Sequence, residues 1–434
     1  MDKMADVLGR AGAWCGQNKY LSAIKNAFQN FMPLTIAGAI GVLWCNVLVN
    51  ESTGLGIFFK PIMALEFLNP AFQAVNFCTI SCITVGITLG IAQEIGVWNM
   101  GAEKAGYIPG LVGLAAWLSV TNTSHMVEGA KEAFTGIAGN ELGATGLFTG
   151  MIIGVLSVEL FCFFEKQDAL KIKMPEQVPP GVARAFEVLV PATITLIITA
   201  CIGSACYNLT GLYLNDVIKN GIQGPLGAVG ATIPGVMIIY LVIMLFWLVG
   251  IHGNNMLSAV KEALFTPLAL ENVEAFNKGE TPKNIINMYF LQMCGEFGGS
   301  GVTIGLVIAI MIFGKREDNK AIATLSLVPG LFNINETVTF GIPMVLNPIL
   351  GIPFVVAPLI TIIIGYVLTV IGFCPVACLT VPWTTPPIVF GFLACGANVM
   401  GAVTQAILIV VSTVIYVPFL ISYEKYQNKQ AAEA

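Results

Sequence analysis

Long apolar stretches separated by short polar ones set the pattern of this chain. Runs at Phe31–Val49, Pro70–Ala92, Leu142–Phe164, Val188–Tyr207, Ala228–Val249 and Val399–Leu420 approach or reach the ~20 residues a helix needs to cross hydrocarbon. Tyr107–Val120 is a shorter run of the same kind. Barrel strands would instead read as alternating segments of about ten residues. Gly and Pro recur inside the runs, which fits spanning helices. The pattern predicts an all-α integral membrane protein with about ten transmembrane helices and two re-entrant helical hairpins.

The polar interruptions carry the topology. Glu165–Glu187 holds Lys166, Lys171, Lys173, Arg184, Pro175, Pro179 and Pro180 and reads as the boundary between a domain 1–184, with four to five helices, and a domain 185–434. Four crossings separate this stretch from the charged amino terminus (Asp2, Lys3, Asp6, Arg10, Lys19, Lys25), so both are expected on the cytoplasmic side. The amino terminus has no apolar signal core, and the first membrane helix is expected to serve as the targeting signal. Leu212–Gly224 reads as an amphipathic or surface segment, and Lys261–Lys283 as a polar cytoplasmic loop. A single straight span after that loop would put it and the basic Lys315–Lys320 region on opposite sides. A re-entrant hairpin over 285–313 avoids this, with Gly295-Glu-Phe-Gly-Gly-Ser-Gly301 as its break. Its return limb, Gly301–Phe313, is only about 20 Å of helix at 1.5 Å per residue. A second break falls at Leu379–Ile388, where Pro382, Pro386 and Pro387 remove backbone donors, and the second hairpin is placed at 379–395. Broken helices at membrane depth persist only where protein or a water-filled cavity satisfies their backbone, and paired interruptions of this kind point to a transporter.

Composition agrees and excludes other classes. Of the 434 residues 56% are hydrophobic and only 10% charged, against about 25% charged in soluble domains; mean hydropathy is +0.82. The formal charge of −5 says little about orientation, which follows Lys and Arg placement. No basic footprint for nucleic acid is present. The eleven cysteines include no CxxC and read as small packing residues. Neither a Walker A sequence nor metal-ligand spacing occurs, so no cofactor or metal is expected.

The candidate chemistry centres on Glu336. It lies in a stretch otherwise uncharged from Ala321 to the carboxyl-terminal tail, flanked by Asn333, Asn335, Thr337 and Thr339. An ionised carboxylate in a medium that excludes water is costly unless something solvates it. It marks either a binding site or a loop braced by its own backbone. His252 ends an apolar run in Gly250-Ile-His-Gly253 and on a helix would share a face with Asn255; a histidine satisfied at a helix end is the plainer reading. Glu296, beside Gly299 and Ser300, either braces the hairpin tip or contacts a substituent on a ligand. Trp383, followed by Thr384, is an interfacial anchor or a stacking platform for a sugar ring. Glu94 and Glu159 read as structural, and His125 as a solvated loop residue. Carboxylate, imidazole, amides and an aromatic without a cationic cluster suit a neutral polyhydroxylated solute, whose hydroxyls need donors and acceptors.

These residues carry a resemblance. GIHG at 250–253, GGSGVTIGL at 298–306, INE at 334–336 with FGIP at 340–343 and NP at 347–348, and VPWTTP at 381–386 are similar to motifs of the lactose/cellobiose/diacetylchitobiose group of enzyme IIC membrane components of the bacterial phosphotransferase system. LSAIKNAFQNFMPLTIAGAI and KMPEQVPPGVARAFE resemble the same group. The resemblance implies a homodimer formed through the first domain and a second domain that holds a β-linked disaccharide and moves relative to it. It implies that His252 and Glu336 bind the sugar, with Glu336 orienting or deprotonating its hydroxyl. Asn333, Asn335, Glu296, Gly299, Ser300, Asn255, Trp383 and Thr384 complete the expected site. A phosphorylated IIB protein, fed by IIA and the general phosphocarrier proteins, is the expected donor in trans, so the chain is not expected to be an enzyme alone. The expected location is the bacterial cytoplasmic membrane with the amino terminus inside. A proton-coupled secondary sugar transporter, with Glu336 carrying the proton, is the second reading.

Overall fold

Apart from one two-residue strand pair, Ser124–His125 with Phe134–Thr135, the regular structure in this computed structural model is helical. It describes residues 10, 13–14, 17–51, 56, 59–125, 134–175, 177–342 and 344–433; Asp2, Lys3, Asp6 and Pro343 lie outside the described residues. In chain order the main helices are α1 Lys19–Leu43, α2 Asn69–Asn76, α3 Ile83–Met100, α4 Ile108–Val120, α5 Ala144–Glu165, α6 Pro180–Thr210, α7 Ile233–Leu248, α8 Ser258–Asn277, α9 Met288–Gly295, α10 Ile304–Phe313, α11 Glu317–Leu331, α12 Glu336–Gly341, α13 Gly351–Val370, α14 Val389–Ala394 and α15 Val399–Glu433.

Local chemistry sets where these helices begin and end. α6 opens on Pro180, whose missing N–H has no partner to lose there, and stops at Gly211 with φ 71°, whose N–H reaches Tyr207 O at 2.8 Å. At the start of α7 the Thr232 hydroxyl accepts the Gly235 N–H at 3.2 Å. The buried Asn287 does more for α9, its Oδ1 accepting the Tyr289 and Phe290 N–H groups at 2.9 and 3.2 Å. Among the described residues five helical stretches are long and apolar enough to cross a membrane, and three bent pairs, at 42°, 76° and 60°, raise this to eight.

Packing divides the chain into two compact units, Gln17–Thr35 with Phe77–Gly227, and Ile36–Asn76 with Ala228–Ala434. These are units of packing, whereas the domains expected to either side of 184/185 are units of dimerisation and movement. The polar stretch 165–187 lies inside the first unit, where Glu165 receives Lys104 at 2.9 Å and Arg184 at 3.1 Å, and α6 packs on α4 and α5. Charge and proline there mark a turn at the surface of the helices. In the same unit Glu94 accepts Asn26 at 2.9 Å and Glu159 pairs with Lys19 at 2.5 Å, the bracing roles expected of them. His125 sits in the strand pair with Nε2 3.2 Å from Asn122 O.

The second unit is built around Tyr240, Phe265, Phe290, Phe354 and Tyr416, all fully buried. One expectation is corrected here: Lys261–Lys283 is not a polar loop, because Ser258–Asn277 forms α8 with Ala259, Phe265, Ala269, Leu270 and Val273 buried. These positions recur at helical spacing, a period obscured by the charged residues between them, and Lys261 is itself buried. Where a hairpin over 285–313 is expected, the segments containing α9 and α10 meet at 60° across a break. Tyr416 of α15 donates to Gly301 O at 2.8 Å and so supports that break from behind. Around the second break, Ile371–Ile388 runs without a helix and only the six-residue α14 follows. The Cys378 and Leu379 N–H groups both reach Ala394 O, at 2.7 and 3.0 Å. Gln405, buried on α15, accepts Ile388 and Gly391 N–H at 2.8 Å each and donates to Met293 O at 3.1 Å. One amide thereby fastens the second break to α9. Glu424 accepts the Lys315 N–H at 2.9 Å and the Arg316 N–H at 3.3 Å, seating α11, which leads to Glu336.

Candidate substrate-binding site

The Gly250–Gly253 turn fixes one side of the site. Gly253 lies so close under α7 that a Cβ added there would stand 2.0 Å from Ile243 O, so only glycine lets the chain turn at this depth. His252 precedes a single helical turn, Gly253–Met256, and its Nδ1 accepts the Asn255 N–H at 3.2 Å. Its ring lies 4.4 Å, centroid to centroid, from that of the buried Trp247. The plainer reading of this histidine is therefore half right: one nitrogen caps a turn. Because Nδ1 is an acceptor, the neutral ring carries its proton on Nε2.

Two asparagines clip three interrupted segments together. Asn333 Oδ1 accepts the Gly298 N–H at 2.6 Å, while its amide donates to Trp383 O and, at 3.2 Å, to Thr385 O. Asn335 is buried and donates to Ser300 O at 2.7 Å. Asn254, outside the expected set of site residues, donates to Ser300 Oγ at 3.0 Å. The Gly298–Ser300 tip is thus held by both the His252 turn and the Asn333–Asn335 loop. The expected ligands Asn333 and Asn335 serve first as braces of backbone. Broken helices expose N–H and C=O groups that must be satisfied internally, and these amides do so.

Glu336 is left facing outward. It opens α12, its side chain is 48% exposed, and its Oε1 stands 3.8 Å from His252 Nε2. That separation is too long for a hydrogen bond, so an N–H donor and a carboxylate converge with their capacity free. Such a pair is matched to a hydroxyl, which donates to the carboxylate and accepts from the imidazole. Trp383 is 42% exposed, with Thr384 half-buried next to it. Asn255 engages the turn through its backbone and its side chain is exposed.

Glu296 braces the tip, and the partners doing so were hidden in the sequence. Its Oε1 accepts the Tyr240 hydroxyl at 2.8 Å and the ammonium of Lys261. Composition places Lys261 in a polar cytoplasmic loop; the signal to the contrary is its position among Ala259, Val260, Ala263 and Leu264 at helical spacing. Among the described residues no group of three or more His, Cys, Asp or Glu could hold a metal ion.

A family profile described as "Phosphotransferase system, EIIC" matches residues 25–358. The chain belongs to the phosphotransferase-system EIIC family. It is 33% identical, over 98% of its length and 94% of the relative's, to the oligo-beta-mannoside-specific EIIC component of Bacillus subtilis (strain 168). It is 30% identical, over 98% of each chain, to the cellobiose-specific EIIC component of Lactococcus lactis subsp. lactis (strain IL1403). The crystal structure of the transporter ChbC, the IIC component from the N,N'-diacetylchitobiose-specific phosphotransferase system, superposes with a TM-score of 0.88 at 29% identity, covering 97% of both chains. This EIIC chain is accordingly a multi-pass membrane protein and a sugar permease of a phosphotransferase system. The proton-coupled reading is not favoured.

Proposed function

We propose that this EIIC chain carries a β-linked disaccharide such as cellobiose or diacetylchitobiose inward and presents it for phosphorylation by a separate IIB protein. The observation that carries the reading is the convergence of His252 Nε2 and Glu336 Oε1, 3.8 Å apart and both available, beside the braced tip. Relatives whose names specify cellobiose or diacetylchitobiose support the sugar class. His252 and Glu336 bind the sugar; Glu296, Ser300, Trp383 and Thr384 line its surroundings; Asn333, Asn335 and Gly299 hold the frame. The donor is IIB phosphorylated through IIA and the general phosphocarriers. The chain sits in the bacterial cytoplasmic membrane with its amino terminus inside and about ten crossings. It pairs as a homodimer through residues 1–184, and the remainder, 185–434, moves with the sugar.

Titration calorimetry of the purified protein with neutral β-linked and α-linked disaccharides tests the substrate class. The expected outcome is saturable binding of cellobiose or diacetylchitobiose and no heat from maltose. Preferential binding of maltose would overturn the assignment.

A further inference from the structure

Among the described residues of the unit that carries Glu336, Lys261 is the one Lys or Arg whose side chain is buried. It is 8% exposed and is matched with Glu296, 17% exposed, while the fully buried Tyr240 adds its hydroxyl to the same carboxylate oxygen at 2.8 Å. Three elements meet there: α7 through Tyr240, α8 through Lys261 and the end of α9 through Glu296. A charge in such a place needs its partner, because removing one member of a buried pair leaves the other uncompensated. Glu296 is two residues from Gly298 and four from Ser300, which are tied to Asn333 and to Asn254 and Asn335 respectively. The pair therefore adjoins the tip that the His252 turn and the Asn333–Asn335 loop hold in place.

We propose that Lys261 is a specificity-determining residue: by cancelling the charge of Glu296 it makes the tip select an uncharged sugar over one bearing an amine or a carboxylate. The inference rests on the sugar site proposed above. With the pair intact, Glu336 offers its carboxylate to the ligand, matched to a hydroxyl, while the neighbouring Glu262 carboxylate is held by the Thr266 hydroxyl. Without Lys261 the tip presents a second carboxylate, which attracts a protonated amino sugar. Without Glu296 it presents an ammonium, which attracts a sugar acid. Specificity of this kind is a difference between affinities, set as much by what an uncompensated charge rejects as by what it attracts.

The experiment compares three ligands by calorimetry on the detergent-solubilised full-length protein near pH 6: cellobiose, the β-linked glucosamine disaccharide with free amines, and a β-linked disaccharide containing a uronic acid. In Lys261→Gln the affinity ratio of the amino sugar to cellobiose rises about tenfold or more, corresponding to about 1.4 kcal/mol. In Glu296→Gln the uronate-to-cellobiose ratio rises by a similar factor. The double variant Lys261→Gln/Glu296→Gln returns to the wild-type preference. The two single variants move in opposite directions, so either one alone is decisive if the other does not fold. An unaltered ratio in a folded single variant, with normal cellobiose binding, overturns the inference alone. Wild-type protein that binds none of the sugars overturns the sugar-site reading and this inference with it.

Discussion

Replacing Glu336 by Gln lowers disaccharide affinity by about ten- to a hundredfold, the worth of one hydrogen bond to a charged group at about 1.5–3 kcal/mol. The side chain is half exposed at the head of α12, and its Oε1 stands 3.8 Å from His252 Nε2, beyond hydrogen-bond distance, so the substitution removes charge without breaking that contact as an internal bond. Thermal stability therefore stays within about 0.5 kcal/mol of wild type. An intact protein with weakened binding is the signature of a ligand contact; wild-type affinity would remove Glu336 from the site. Initial rates with phosphorylated IIB at saturating sugar then separate two roles. A rate equal to wild type assigns Glu336 to binding. A further loss of about 10²- to 10⁴-fold assigns it to taking the hydroxyl proton as the phosphoryl group arrives.

Gly299→Ala is expected to disable the site without touching a charged group. Gly299 adopts φ 89° and ψ −175°, a region open essentially to glycine alone, and strain there costs about 1–3 kcal/mol. The added Cβ would also stand 2.6 Å from Cβ and Cγ of Asn335, and overpacking of that kind costs about 1–3 kcal/mol more. Asn335 is the amide that holds Ser300 O, and it is adjacent to Glu336. The expected result is a destabilisation of at least about 2 kcal/mol in thermal unfolding, together with loss of measurable disaccharide binding. Full stability with wild-type affinity would show that the tip and the Asn333–Asn335 loop are not packed as described.

Features that announce themselves through local chemistry were readable before the structure. Glu336 and His252 stand out because polar groups in apolar surroundings are costly, and the breaks at 295–301 and 379–388 because glycine and proline interrupt helices wherever they cluster. What stayed hidden depends on partners distant in sequence. The bonds from Asn333 to Gly298 and Thr385 join residues 35 and 52 positions apart, so an asparagine that braces backbone looks the same in sequence as one that binds ligand. Lys261 was hidden for a different reason. Charged residues on α8 give it the composition of a loop, while its apolar face keeps helical spacing. The packing units likewise follow contacts rather than composition. The polar stretch 165–187 marks a surface turn, whereas Ile36–Asn76 joins Ala228–Ala434 through contacts such as Asn46 Nδ2 to Asn277 Oδ1 at 3.2 Å, which no composition shift signals.

Sugar is expected to enter through this chain and to leave it phosphorylated. The most direct measurement reconstitutes the purified protein in vesicles loaded with phosphorylated IIB and follows labelled cellobiose supplied outside. Label is expected to accumulate inside as sugar phosphate, in proportion to the phosphorylated IIB present and with no need for an ion gradient. Accumulation of unmodified sugar driven by a pH gradient in vesicles lacking IIB would contradict it.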